Sequence, residues 1–86
     1  MTNSNALNQT EIQALVEKIS FQKVTGTKRI VSDKMIDSIG LVDLVLALEL
    51  AYEVRISDLE MTPENFDYVD SILEFLEAKR EVQLKK

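Results

Sequence analysis

The sequence predicts an all-α fold, a small four-helix bundle of three main helices plus a short third helix, with a long loop between helices one and two. Three observations carry this. Apolar residues recur at i, i+3, i+4 and i+7 in separate segments, the spacing of one face of a helix. Only two glycines and one proline occur in 86 residues, too few for a turn-rich β fold. A chain of this length with 45% apolar residues fills one core and has no room for a second.

The elements follow in order. Residues 1–9 are polar and read as a flexible N-terminus. Thr10 followed by Gln13 is a capping-box pattern, and Ile12, Leu15, Val16 and Ile19 supply the stripe of helix one, which is expected to run to about Val24. Gly26 breaks that helix. The stretch "TGTKRIVSDKMID" then connects it to helix two, longer than the ~2–8 residues usual between helices, so Ile30, Val31, Met35 and Ile36 are expected to tuck it onto the core. Helix two spans about Ser38 to Glu53. "RISDLEM" reads as a loop, and Thr62 and Pro63 open the short third helix as N-cap and first residue. The last helix is "VDSILEFLEAKR", with Val69, Ile72, Leu73 and Leu76 as its stripe. The folded domain is thus expected over residues 10–80, followed by a frayed tail over 81–86.

Helix two is apolar on two sides. At ~100° per residue, Leu41, Leu44, Val45, Leu48 and Tyr52 share one side, and Ile39, Val42, Leu46 and Leu50 lie nearly opposite. A small bundle buries one such stripe. The second is either covered by the long loop, Leu50 being its nearest candidate, or is a docking surface flanked by Asp43, Glu49 and Glu53.

Composition excludes several function classes. Without cysteine there is no disulfide, thiolate metal site or thiol nucleophile, and without histidine the usual neutral-pH base and commonest metal ligand are missing. No metal site is expected. An autonomous enzyme is disfavoured, and carboxylate pairs such as Asp67 with Asp70 read as solvent-facing helix caps. Between Asp37 and Glu77 stand eleven acidic residues and one base, Arg55, for a net charge of −10 within a chain of −5. Such a block repels phosphate backbones, which argues against nucleic acid, and steers toward partners with basic patches. No apolar run approaches the ~18 residues of a membrane span, and the N-terminal stretch lacks signal-peptide zones, so the expectation is a cytoplasmic monomer.

The candidate for chemistry is the serine in "MIDSIGLVDLVLALE". Read alone, Ser38 is an ordinary N-cap, worth ~1 kcal/mol over alanine. Ser4, Ser20, Ser32, Ser57 and Ser71 lack its context of a preceding acid and a following apolar helix.

Asp37-Ser38-Ile39-Gly40-Leu41, followed by Leu44, Val45, Ala47, Leu48 and Glu49, resembles the Asp-Ser-Leu signature of acyl carrier proteins and the helix behind it. The similarity continues through "AYEVRISDLEMTPENFDYVDSILEFL" and covers roughly residues 8 to 80, making 10–80 a carrier domain. The resemblance implies that Ser38 bears 4′-phosphopantetheine, attached covalently from coenzyme A by a separate Mg²⁺-dependent phosphopantetheinyl transferase. The thiol of that arm would carry acyl groups as thioesters between enzymes of fatty-acid-like, polyketide or related biosynthesis. Asp37 and Ile39 would serve transferase recognition. Ile39, Val42, Asp43, Leu46, Glu49 and Glu53 would form the face that docks acyl-activating, acyltransferase or ketosynthase-type enzymes. The protein itself would be non-catalytic.

Several positions depart from housekeeping fatty-acid carriers. Gly40 stands where many have a polar residue, Leu50 and Ala51 where they have glutamates, and Met35-Ile36 where they have Gly-Ala. The pattern is closer to stand-alone carriers of specialised pathways. Two alternatives stay open: an aminoacyl or peptidyl carrier, and a helical interaction module without a prosthetic group. The cargo could lie in a cleft between helices two and three or remain in solvent.

Overall fold

The computed structural model describes residues 8–24 and 29–84. Four α-helices follow one another, α1 (Gln9–Ser20), α2 (Ser38–Tyr52), α3 (Pro63–Phe66) and α4 (Val69–Leu84), with one 3₁₀ turn at Asp58–Glu60 between α2 and α3. Helix α1 packs on α2 and α4, and α3 packs on α4. The expected all-helical bundle is the architecture found, and among the described residues there is no strand.

The N-cap of α1 lies two residues before the expected one. Asn8 is extended, and its side-chain oxygen accepts from the N–H groups of Thr10 (2.8 Å) and Glu11 (3.3 Å). Thr10 is therefore a capped residue rather than the cap, and the Gln13 amide donates to Glu17 (3.2 Å) within the helix. Asn8 and Gln9 thus belong to the fold, while 1–7 lie outside the described residues. The helix ends at Ser20, four residues before Val24. Phe21 turns left-handed (φ 58°), and the Glu17 carboxylate accepts the Val24 N–H at 2.9 Å, folding the chain back over the helix end. That hydrogen bond, helped by Gln13, holds the Glu17 carboxyl below its ordinary pKa.

The connection to α2 is a folded turn; its residues 25–28 lie outside the described residues. Ile30, Met35 and Ile36 are buried and Val31 packs at the edge of the core, as their apolar character requires. Met35 and Ile36 both donate to the Ile30 carbonyl, and Lys34 donates to that of Val31. The turn is anchored by Asp67 at the α3–α4 corner. Its carboxylate accepts from Val31 N–H (3.0 Å), Ser32 N–H (2.7 Å) and the Ser32 hydroxyl (2.6 Å), and its carbonyl accepts from Ile30 N–H (2.7 Å). This corrects the reading of Asp67 as a solvent-facing partner of Asp70. Asp67 is buried, and a buried carboxylate needs several donors to be tolerated. Asp70 is exposed and accepts instead from Gln9.

The core joins Ile12 and Val16 of α1 with Leu44, Val45, Leu48 and Tyr52 of α2, Phe66 of α3, and Val69, Ile72 and Leu76 of α4. Phe66 meets Phe75 edge to face at 5.6 Å. The segment expected to be plain loop after α2 contains the 3₁₀ turn. There Glu60 accepts from Ser57 N–H (2.9 Å) and from Lys79 (2.9 and 3.0 Å), tying it to α4. Thr62 and Pro63 open α3 as N-cap and first residue, as expected. Helix α4 continues through Glu81 to Leu84, one turn beyond the expected start of a frayed tail at 81; Lys85 and Lys86 lie outside the described residues.

Candidate functional site

The N-terminus of α2 is built by Asp37, not by Ser38. Asp37 is extended (ψ −171°), its side chain accepts from Gly40 N–H at 2.8 Å, and its carbonyl takes the first helical bond from Leu41 at 2.9 Å. Asp37 is therefore the N-cap and Ser38 the first residue inside the helix, which corrects the capping role expected for the serine. The Ser38 side chain is exposed, and its hydroxyl makes no hydrogen bond among the described residues.

Gly40 has a packing reason that sequence reasoning missed. A Cβ there would lie 3.1 Å from Ile36 Cβ, 3.3 Å from Asp37 Oδ1 and 3.4 Å from Ile19 Cγ2. The missing side chain lets the first turn of α2 sit directly against the loop and the end of α1. Ser38 is thereby placed on a rigid corner, where the loop, α1 and α2 meet.

Beside Ser38 lies a cavity of about 280 Å³ lined by Val31, Lys34, Ile36, Asp37, Ser38 and Leu41. Val31, Ile36 and Leu41 give it apolar walls, and Lys34 brings a cation. A larger depression of about 490 Å³, lined by Glu49, Val54, Arg55, Ile56, Ser57 and Lys79, sits at the other end of α2. Glu49 is about three helical turns from Ser38, ~16 Å along the axis. Size alone therefore does not mark the site.

The two sides of α2 divide as their spacing predicts. Leu44, Val45, Leu48 and Tyr52 are buried, and Leu41 is partly so. On the other side Ile39 is 73% exposed, Val42 46%, Leu46 52% and Leu50 83%. The described part of the loop does not cover Leu50, which is the most exposed of the four; that expectation is corrected. The described loop turns instead toward the α3–α4 corner, where Asp67 holds it.

The acidic residues around this stripe are not equivalent. Asp43 and Glu53 are exposed, and Glu53 is the left-handed C-cap of α2 (φ 57°). Glu49 is half-buried, and its carboxylate accepts from Ile56 N–H at 2.8 Å, fastening the loop after α2. Its charge is committed to the fold as well as facing outward.

Sequence reasoning singled out Asp37, Ser38 and the stripe, which the structure brings together on one helix. It missed Lys34 in the cavity beside Ser38, whose only sequence signal is its place four residues before the serine. Among the described residues no helix is long and apolar enough to cross a membrane.

No family model matches the chain, and no solved structure does. The acyl carrier protein AsbD of Bacillus anthracis is 28% identical over 81 residues, covering 91% of this chain and 89% of that one. In this similarity, the Asp37-Ser38 start of α2 and the all-helical bundle, the chain is like an acyl carrier protein.

Proposed function

We propose that the protein is a non-catalytic carrier that bears 4′-phosphopantetheine on Ser38 and presents thioester-bound acyl groups to successive enzymes. The observation that carries this reading is the exposed Ser38 hydroxyl at the first position of α2, with the helix cap supplied by its neighbour. The residues around it suit the group. Ser38 offers an accessible oxygen for a phosphodiester, and the adjoining cavity has apolar walls and one cation. A thiol arm supplies the nucleophilic sulfur that a chain without cysteine lacks.

Two features support the reading that loading is done by another protein. Asp37 is turned onto Gly40 N–H, and the chain has no histidine to take the serine proton. A separate Mg²⁺-dependent transferase would supply the activating base, with Asp37 and Ile39 at its contact surface. The exposed apolar side of α2, Ile39, Val42 and Leu46, would fill partner pockets, with Asp43, Glu49 and Glu53 steering toward basic patches. Acyl-activating, acyltransferase or ketosynthase-type enzymes are the partner classes that fit, and the cytoplasm is the compartment in which this traffic is expected. Leu50 and Ala51, in place of glutamates, favour a specialised pathway over housekeeping fatty-acid synthesis.

Incubation with coenzyme A, Mg²⁺ and a broad-specificity transferase is expected to add the mass of one phosphopantetheine, and Ser38→Ala is expected to abolish the gain. No mass gain, or a gain that survives Ser38→Ala, overturns the reading.

A further inference from the structure

The lysine near Ser38, Lys34, differs from two other cations of the described residues. Arg29 is paired with Asp33 at 3.2 Å, and Lys79 with Glu60 at 2.9 Å. Lys34 is exposed, and its ammonium makes no hydrogen bond or ion pair among the described residues. Its backbone is nevertheless fixed. Lys34 is left-handed (φ 60°) and donates to the Val31 carbonyl at 3.0 Å, in a turn that Asp67 clamps at Val31 and Ser32. A β-carbon makes that conformation unfavourable, so glycine or asparagine would suit the position better on backbone grounds. The residue that stands there instead is a lysine, and it lines the same cavity as Ser38.

The charge requirement at Ser38 follows from its neighbours. An anion joined to the Ser38 oxygen would lie beside the Asp37 carboxylate, which already occupies the positive end of α2 and holds the Gly40 N–H. Two anions at one helix end repel each other, and downstream of Ser38 the chain is almost uniformly acidic, with Arg55 the one base as far as Glu77. The uncommitted cation in the wall of that cavity is Lys34.

We propose that Lys34 is the counter-charge for the phosphodiester carried on Ser38, a positioning residue that holds the base of the arm against the loop. This rests on the reading of Ser38 as the attachment site, and the experiment separates the two. The full chain is loaded from coenzyme A as wild type, Lys34→Gln, Lys34→Arg and, as a control for charge removal elsewhere, Lys18→Gln. Intact mass confirms loading, and the ³¹P resonance of the phosphodiester and the ¹⁵N resonance of the Lys34 ammonium are recorded at low salt and in 1 M salt.

The expected result is a wild-type ³¹P shift that Lys34→Arg and Lys18→Gln retain. Lys34→Gln is expected to move it to the value wild type reaches in 1 M salt, where screening acts within ~3 Å. The Lys34 ammonium resonance is expected to move between apo and holo protein. A wild-type chain that gains no mass overturns the attachment reading and this proposal with it. A chain that loads normally, with the same ³¹P shift in wild type and Lys34→Gln, overturns the role of Lys34 alone. So does loss of the shift in Lys34→Arg, because a counter-charge is rescued by another cation.

Discussion

The buried Asp67 carboxylate grips Ser32 twice, accepting its backbone N–H at 2.7 Å and its hydroxyl at 2.6 Å. Thirty-five residues separate the two, so the contact decides where the whole α1–α2 connection lies. Asp67→Ala would leave the Val31 and Ser32 donors without a partner, at about 1–3 kcal/mol per buried unsatisfied group. The expected loss is about 2–4 kcal/mol in urea unfolding, with Asp67→Asn milder because it keeps an acceptor oxygen. Equal stability of wild type and Asp67→Ala would show that the clamp contributes nothing.

Tyr52 is buried, and its hydroxyl donates to Glu11 at 2.9 Å, joining α2 to α1. Burial, reinforced by that bond to a carboxylate, pushes the phenol up to about 12 from an ordinary 10.0. A phenol with a raised folded pKa adds stability in full below its unfolded pKa, and this is lost as pH rises from about 10 toward 12. Tyr52→Phe is expected to cost about 0.5–1.5 kcal/mol at neutral pH. It should also flatten the fall in stability above pH ~10, as read by denaturant melts at stepped alkaline pH.

Phe21 ends α1 in the left-handed region while 93% exposed, so its ring gains little packing in return for the backbone strain. Phe21→Gly relieves a conformation that disfavours a β-carbon by roughly 1–2 kcal/mol, partly offset by the greater freedom of glycine in the unfolded chain. A net gain of about 0.5–1 kcal/mol is expected, which raises the melting temperature of so small a domain by a few degrees. A lower melting temperature would mean that the ring is engaged.

The two sides of α2 should respond differently to truncation. Leu48 is fully buried, and Leu48→Ala is expected to cost about 2–5 kcal/mol. Leu46, 52% exposed on the opposite side, should tolerate Leu46→Gln within about 0.5–1 kcal/mol. If the exposed side docks partners, the Leu46 variant should fold normally and load or exchange cargo more slowly. A cooperative unfolding curve alongside unchanged transfer rates would remove that stripe from the docking face.

Much of the bundle was legible because the helical period survives in the residue types. The stripe Leu44, Val45, Leu48, Tyr52 names the core side of α2, and Thr62-Pro63 names the start of α3, from local chemistry alone. What escaped depended on contacts distant in sequence or on competition between neighbours. Asp67 looks like any surface acid until the turn at Val31–Ser32 supplies its donors. The cap of α1 passed from Thr10 to Asn8 because the Asn8 side chain takes the Thr10 and Glu11 N–H groups, so Thr10 already stands inside the helix. Ser38 was legible as a candidate site for a different reason: its neighbours form a recognisable pattern, whereas the cavity that Lys34 also lines exists only once the loop is folded.

Asp37 closes the helix end, and this leaves the serine next to it without structural duty. Securing the fold and being free to change are separated by one position along the chain: Asp37 caps the helix, and the exposed Ser38 beside it does not. A group added to or removed from the Ser38 oxygen breaks no hydrogen bond among the described residues. The first turn of α2 could therefore be altered at Ser38 without being asked to refold, which is what a carrier that is loaded and unloaded repeatedly would need.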